Sequence, residues 1–159
     1  MEISTEIWVC IAFIVYYSGL QIYDDFIRYG MATNTKSLRI ERLRSKYKVT
    51  IRTFHGNKRL SGFAWFKTIW INEMLLNKYM ESSLLFTFHH EHYHLKHKHK
   101  LKTLLLRLFI SLTPLTMIFV NWLIFIGILL SVSYFSLHIT DIFENKANDY
   151  AKKMVKNAD

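Results

Sequence analysis

The sequence predicts an α+β membrane protein: mostly helical, with transmembrane helices around a small domain that carries a short antiparallel sheet. Three observations predict it. Hydrophobic residues make up 51% of the 159 and aromatics 16%, enough apolar surface to exclude a disordered chain. Seventeen of the 21 Lys and Arg lie between Arg28 and Arg107 with only four acids among them, whereas Ile7 to Tyr23 and Leu108 to Thr140 hold no Asp, Glu, Lys or Arg. Between these apolar blocks, short β-branched and aromatic runs precede a helical pattern. One Pro and five Gly exclude collagen-like and low-complexity classes, and a single Cys excludes an internal disulfide or a Cys-built metal site.

The first apolar run, extended to residues 3–23, predicts a membrane anchor close to the ~20 residues a crossing needs. Glu2 and Glu6 stand where a cleavable signal would carry Lys or Arg, and no small-x-small site follows. Acids before the run and a dense basic block after it place the N-terminus outside and residues 28–100 in the cytoplasm. Arg28 to Lys48 reads as a solvated amphipathic helix suited to anionic lipid; no nucleic-acid reader motif is present. Lys48 to Phe54 alternates as a strand, His55 to Lys58 reads as a turn, and Phe63 to Asn72 as one or two further strands. Asn72 can cap a short helix through Leu76, and Ser82 or Ser83 the next one, which runs through the histidines to about Lys100.

The 33-residue run Leu108 to Thr140 would span about 50 Å as one helix, against a hydrocarbon core of about 30 Å. A hairpin over residues 101–140, kinked at Pro114 and reversing near Asn121, fits that length; a single tilted helix is the alternative. Lysines flank both ends, so both prefer the cytoplasm, which calls for an even number of crossings. Residues 141–159 then return as a C-terminal helix on the side of the basic middle.

Six of the eight histidines are His89, His90, His92, His94, His97 and His99. Within them His90-Glu91-His92-Tyr93-His94 has the pattern H-E-x-x-H. On a helix, His90 and His94 share one face, one turn apart, where two imidazoles can grip one Zn²⁺. Glu91 is rotated about 100° away, so it does not ligate but can take a proton from a water polarised by the metal. A catalytic zinc wants a third protein ligand. Asp141 and Glu144 head the segment that the even-crossing topology brings back.

The stretch His90 to His99 resembles the H-E-L-G-H-x-x-x-x-H run of membrane zinc metallopeptidases of the HtpX heat-shock protease and CAAX prenyl endopeptidase type, with penicillin-sensor transducers as relatives. Gly62-Phe63-Ala64 with Thr68 to Leu76 is similar to that family's edge strand and helix, and Glu144-x-x-Ala147-Asn148-x-x-Ala151 to its E-x-x-A-D-x-x-A helix. The resemblance covers Lys48 to Met154. It implies a zincin-like peptidase domain with one Zn²⁺ per chain, His90, His94 and Glu144 as ligands and Glu91 as the catalytic base; Asp141, nearer the membrane and with a shorter arm, is the competing third ligand on the residues alone. Two departures stand out. Tyr93 replaces a Gly, so a ring must be housed beneath the metal, and Asn148 replaces the Asp that orients a ligating histidine.

The expected function is an integral-membrane, multi-pass zinc endopeptidase of the cell membrane. Its site faces the cytoplasm and cleaves membrane-associated or small peptides along the strand Ala64 to Ile71. Its partners are substrate and bilayer, not nucleic acid, and assembly of several copies is compatible with the sequence. The alternative is a non-catalytic His-rich membrane protein, a metal-binding sensor or pseudo-protease. His97 and His99 read as exposed imidazoles at a basic helix end, His55 and His138 as ordinary polar residues, and Trp65, Trp70 and Trp122 as core or interface anchors.

Overall fold

The computed structural model describes residues 7–8, 11–12, 14–16, 19, 32–33, 37–55, 61–65, 67–77, 80–113 and 121–157. The chain divides into two compact units, Met1–Arg28 with Lys102–Asp141, and Tyr29–Leu101 with Ile142–Asp159. The expected anchor, the turn at Gly56 to Lys58 and the kink at Pro114 fall largely or wholly outside the described residues. Those described within 3–23 are helical.

The second unit is built on a four-stranded sheet of β1 (Ala32–Thr33), β2 (Thr50–Phe54), β3 (Gly62–Trp65) and β4 (Thr68–Asn72), in the order β1-β2-β4-β3. Phe63 to Asn72 thus resolves into a hairpin of two strands. The sheet is mixed, which corrects the antiparallel expectation: β2 and β4 run parallel, while β1 with β2 and β3 with β4 are antiparallel. The cause lies in β4. Ile69, Trp70 and Ile71 are all buried, so β4 needs cover on both faces and takes the central position. It inserts between β2 and its own hairpin partner β3, and therefore runs in the direction of β2.

Helix α1 (Leu38–Tyr47) turns Ile40 and Leu43 into a core shared with Ile51, Ile69, Ile71, Leu75, Leu84 and Phe88. Its apolar face is thus spent on the sheet rather than on lipid, and Leu38 is left 80% exposed. The segment expected to be helical from Arg28 also contains β1. Helix α1 stops at Lys48, which is left-handed at φ 52° and returns its N–H to the Arg44 carbonyl at 2.9 Å. Asn72 caps a 3-10 turn, Glu73–Leu76, by accepting the Met74 N–H at 3.1 Å.

Helix α2 (Glu81–Lys96) lies against β3 and β4. It begins ahead of Ser82 and Ser83, with Met80 at the cap and Glu81 in the first turn, where a carboxylate suits the helix N-terminus. It also ends short of Lys100. Lys98 adopts φ 53°, and a new helix, α3 (His99–Leu112), starts at the next residue. Helix α4 (Trp122–Lys156) begins just after Asn121, which accepts the Leu123 N–H through its side chain at 2.9 Å. Its 35 residues run unbroken through Asp141, so the returning segment is the end of this helix and not a separate one. Among the described residues α4 is the one helix long and apolar enough to cross a membrane.

Gly62 sets how closely β3 meets α2. A Cβ there would stand 2.6 Å from Thr87 Cγ2, 2.9 Å from the Trp70 carbonyl oxygen and 3.4 Å from Glu91 Cγ. The carbonyl belongs to the central strand and cannot give way. Gly62→Ala is expected to cost about 1–3 kcal/mol through overpacking, read as a lower unfolding midpoint in detergent against wild type.

Candidate metal centre

Helix α2 places His90 and His94 one turn apart, with their Nε2 atoms 3.1 Å from each other. Helix α4 brings Glu144 to them: Oε2 lies 3.2 Å from His90 Nε2, and Oε1 3.5 Å from His94 Nε2. The donor atoms of the three residues all lie within 4.8 Å of one another. All three belong to the second unit. Of the two carboxylates heading the returning segment, Glu144 joins this group and Asp141 does not.

The local sequence explains the approach of α4. Glu144, Ala147, Asn148 and Ala151 recur at helical spacing on one face, and both alanines are fully buried. Tyr150 packs on Tyr93 with ring centroids 5.1 Å apart, so the ring that replaces a glycine is housed against α4.

The electrostatics follow from the gathering. Burial pulls the His90 pKa down, but the bond to Glu144 and the charge of Glu91 outweigh it and hold the value above 6.5. The same hydrogen bonds, from His90 and then His94, hold Glu144 far below the usual carboxylate range. Glu91 is 9% exposed, and burial raises its pKa against the opposing pull of His90 and His94. Its carboxylate also accepts the backbone N–H of Ala64 on β3. The sheet has two edge strands, β1 and β3, of which β3 packs against α2, whereas β4 is hydrogen-bonded on both sides. The edge available for an extended peptide is therefore Gly62 to Trp65, shorter than the Ala64 to Ile71 expected.

The donor set fits a zinc ion. The two nitrogens stand 3.1 Å apart, near the roughly 3.3–3.4 Å between ligands held about 2.0–2.1 Å from a tetrahedral Zn²⁺, and the carboxylate turns one oxygen to each ring, Oε2 to His90 at 3.2 Å and Oε1 to His94 at 3.5 Å. Two neutral nitrogens and a carboxylate oxygen are also the donor types that zinc accepts.

Around the donors, His94 Nδ1 lies 2.9 Å from His99 Nδ1. His99 is 5% exposed and stacks on Phe143 at 4.1 Å, against the expectation of a free imidazole at a helix end. Helical periodicity could not reveal this, since the helix breaks between the two histidines. Asn148 lies beside His90 and favours its charged form, but the buried His90 Nδ1 has no hydrogen-bond partner. His55 reaches Glu73 at 3.7 Å, Lys100 sits over the Trp65 ring at 4.1 Å, and Trp70 stacks on Phe63 at 5.6 Å in the core. A cavity of about 620 Å³ opens one turn before His90, lined in part by Ser61, Met80, Phe86, Thr87 and Val155.

A helix pairing two imidazoles, a second helix returning a carboxylate, and an edge strand bonded to the intervening glutamate form a metallohydrolase-like arrangement. The family model of peptidase family M48 matches residues 40–159, and the chain belongs to that family. The HtpX and CAAX endopeptidase resemblance falls within it. Searches of curated proteins and of solved structures return no match.

In the metal-free protein, the His90 ring is expected to titrate above 6.5, followed by NMR of the imidazole protons. Glu144→Gln should lower that value by removing the bond that raises it. The sign for stability follows. The raised His90 contributes fully below 6.5, and that contribution is lost as pH rises through its folded value. The depressed Glu144 contributes above 4.5 and loses its contribution as pH falls through its lower folded value.

Proposed function

We propose that this protein is a membrane-integrated, zinc-dependent endopeptidase acting on membrane-associated or small peptides, with His90, His94 and Glu144 as ligands and Glu91 as base. The observation that carries the reading is the convergence of the His90 and His94 Nε2 atoms and the Glu144 carboxylate, whose donor atoms all lie within 4.8 Å of one another. Bound zinc would supply a Lewis acid that polarises a water and the scissile carbonyl. The chain's own groups account for the rest. Glu91 takes the proton from the attacking water, holds it on a carboxylate whose affinity for protons burial has raised, and passes it to the leaving amine. Strand β3 aligns the peptide by adding it as a further strand. Antiparallel addition directs the C-terminal part of the peptide toward Ser61 and the 620 Å³ cavity, whose Met80, Phe86 and Val155 suit an apolar side chain after the cleaved bond.

The membrane reading is supported by side chains in the first unit and its flanks. Leu104, Leu105, Leu108 and Phe109 on α3, and Leu123, Ile124, Leu130, Phe135 and Leu137 on α4, are exposed, an arrangement that water disfavours and lipid does not. Hydroxyls on these helices bond back to their own backbone: Thr113 to the Phe109 carbonyl at 3.1 Å and Ser131 to Gly127 at 2.7 Å. Such bonds satisfy polar groups where no water is available. Helix α4 would form a crossing whose C-terminal end carries Lys146, Lys152, Lys153 and Lys156 beside Glu144. The positive-inside rule places that end in the cytoplasm.

Glu91→Gln is expected to keep one zinc per chain, measured by elemental analysis, while peptide cleavage falls by roughly 10²–10⁴-fold. Unchanged cleavage would refute the mechanism. His90→Ala, His94→Ala and Glu144→Ala should each lose zinc; retention of metal in Glu144→Ala would favour the non-catalytic, His-rich alternative.

A further inference from the structure

We infer that His99 is a positioning residue that fixes the orientation of His94 and ties it to the helix carrying Glu144; this rests on the zinc-centre reading above. His94 turns its Nε2 toward Glu144 and its Nδ1 toward His99, at 2.9 Å between the two Nδ1 atoms. A nitrogen pair at that distance shares one proton. His94 can ligate through Nε2 only when that lone pair is free, so its proton sits on Nδ1 and is donated to His99. His99 is then the acceptor, with its own proton on Nε2. The opposite polarity would place a proton on His94 Nε2 and block the metal.

The backbone is shaped to make this contact. Five residues along an uninterrupted helix, His99 would point about 140° away from His94. Lys98, left-handed at φ 53°, ends α2 and swings His99 back beneath the His94 ring. There it is 5% exposed, so little water competes for His94 Nδ1. Its other side is held by Phe143, stacked at 4.1 Å and 11°, the residue immediately before Glu144. One ring therefore bonds the second ligand and packs on the neighbour of the third. A shift of α4 that moved Glu144 would also move the support of His94.

The test uses the full chain in detergent, stripped of metal and titrated with zinc against a chromophoric chelator, with Co²⁺ absorption reporting ligand geometry. His99→Phe keeps a ring against Phe143 but removes the acceptor. It should weaken zinc binding by roughly 10–100-fold, the usual effect of losing such a partner, and alter the cobalt spectrum. His99→Asn keeps an acceptor and should recover most of the loss. A role in packing alone gives the reverse order, Phe tolerated and Asn damaging, and that order or unchanged affinity in His99→Phe overturns the inference. Should His99→Phe not fold, His99→Leu against His99→Asn makes the same comparison without the ring: Asn binding tighter supports the inference, and equal affinities overturn it. Wild-type protein that takes up no zinc would overturn the zinc-centre reading and this one with it, whereas a zinc-binding wild type with an indifferent His99→Phe removes this one alone.

Discussion

Two imidazole nitrogens 3.1 Å apart, facing a carboxylate at 3.2 and 3.5 Å, need a positive charge between them. Without one, lone pairs would confront each other in a half-buried cleft, at a cost that desolvation increases. A proton supplies the charge in the metal-free chain, which is why His90 holds its proton more tightly and Glu144 gives its proton up. A divalent cation can take the proton's place among the same three residues, whose donor atoms lie within 4.8 Å of one another. Metal and proton thus compete for one position.

The rest of the second unit keeps that meeting in register. The central strand β4 anchors the core, β3 hangs on its edge, and α2 lies close to β3 because Gly62 has no side chain. The close approach gives Glu91 a backbone donor from Ala64 and removes it from water. Glu91 is consequently a poorer acid beside a centre rich in positive charge, which is the balance a general base near neutral pH needs. On the opposite flank, Ala147 and Ala151 allow α4 to bury the face that presents Glu144.

The supports of the two histidines are uncharged. A ligating histidine is ordinarily braced by a carboxylate, a carbonyl or a water. Here His94 meets another imidazole, and His90 has the Asn148 amide beside it. Neither neighbour adds negative charge, so Glu144 is the one anionic residue of the donor group. The bracing comes from packing instead, through the stack of His99 on Phe143 and of Tyr93 on Tyr150.

Much of this was legible in the sequence, for reasons that can be named. His90, Glu91 and His94 are local: a helical period fixes their relative directions whatever the surroundings. Asn72 as a cap is equally local, set by a side chain bonding its own backbone. Charge segregation separated apolar from basic segments, and motif order singled out Glu144 over Asp141. What the sequence could not contain was pairing across the chain. The parallel partnership of β2 with β4 depends on which strand wins the centre of the sheet, a competition between burial demands. The continuity of α4 past Asp141 and the break at Lys98 are settled by packing rather than by propensity. His99 looked like one more exposed histidine because its role exists only once a left-handed residue, a distant phenylalanine and the His94 ring have been brought to the same few ångströms.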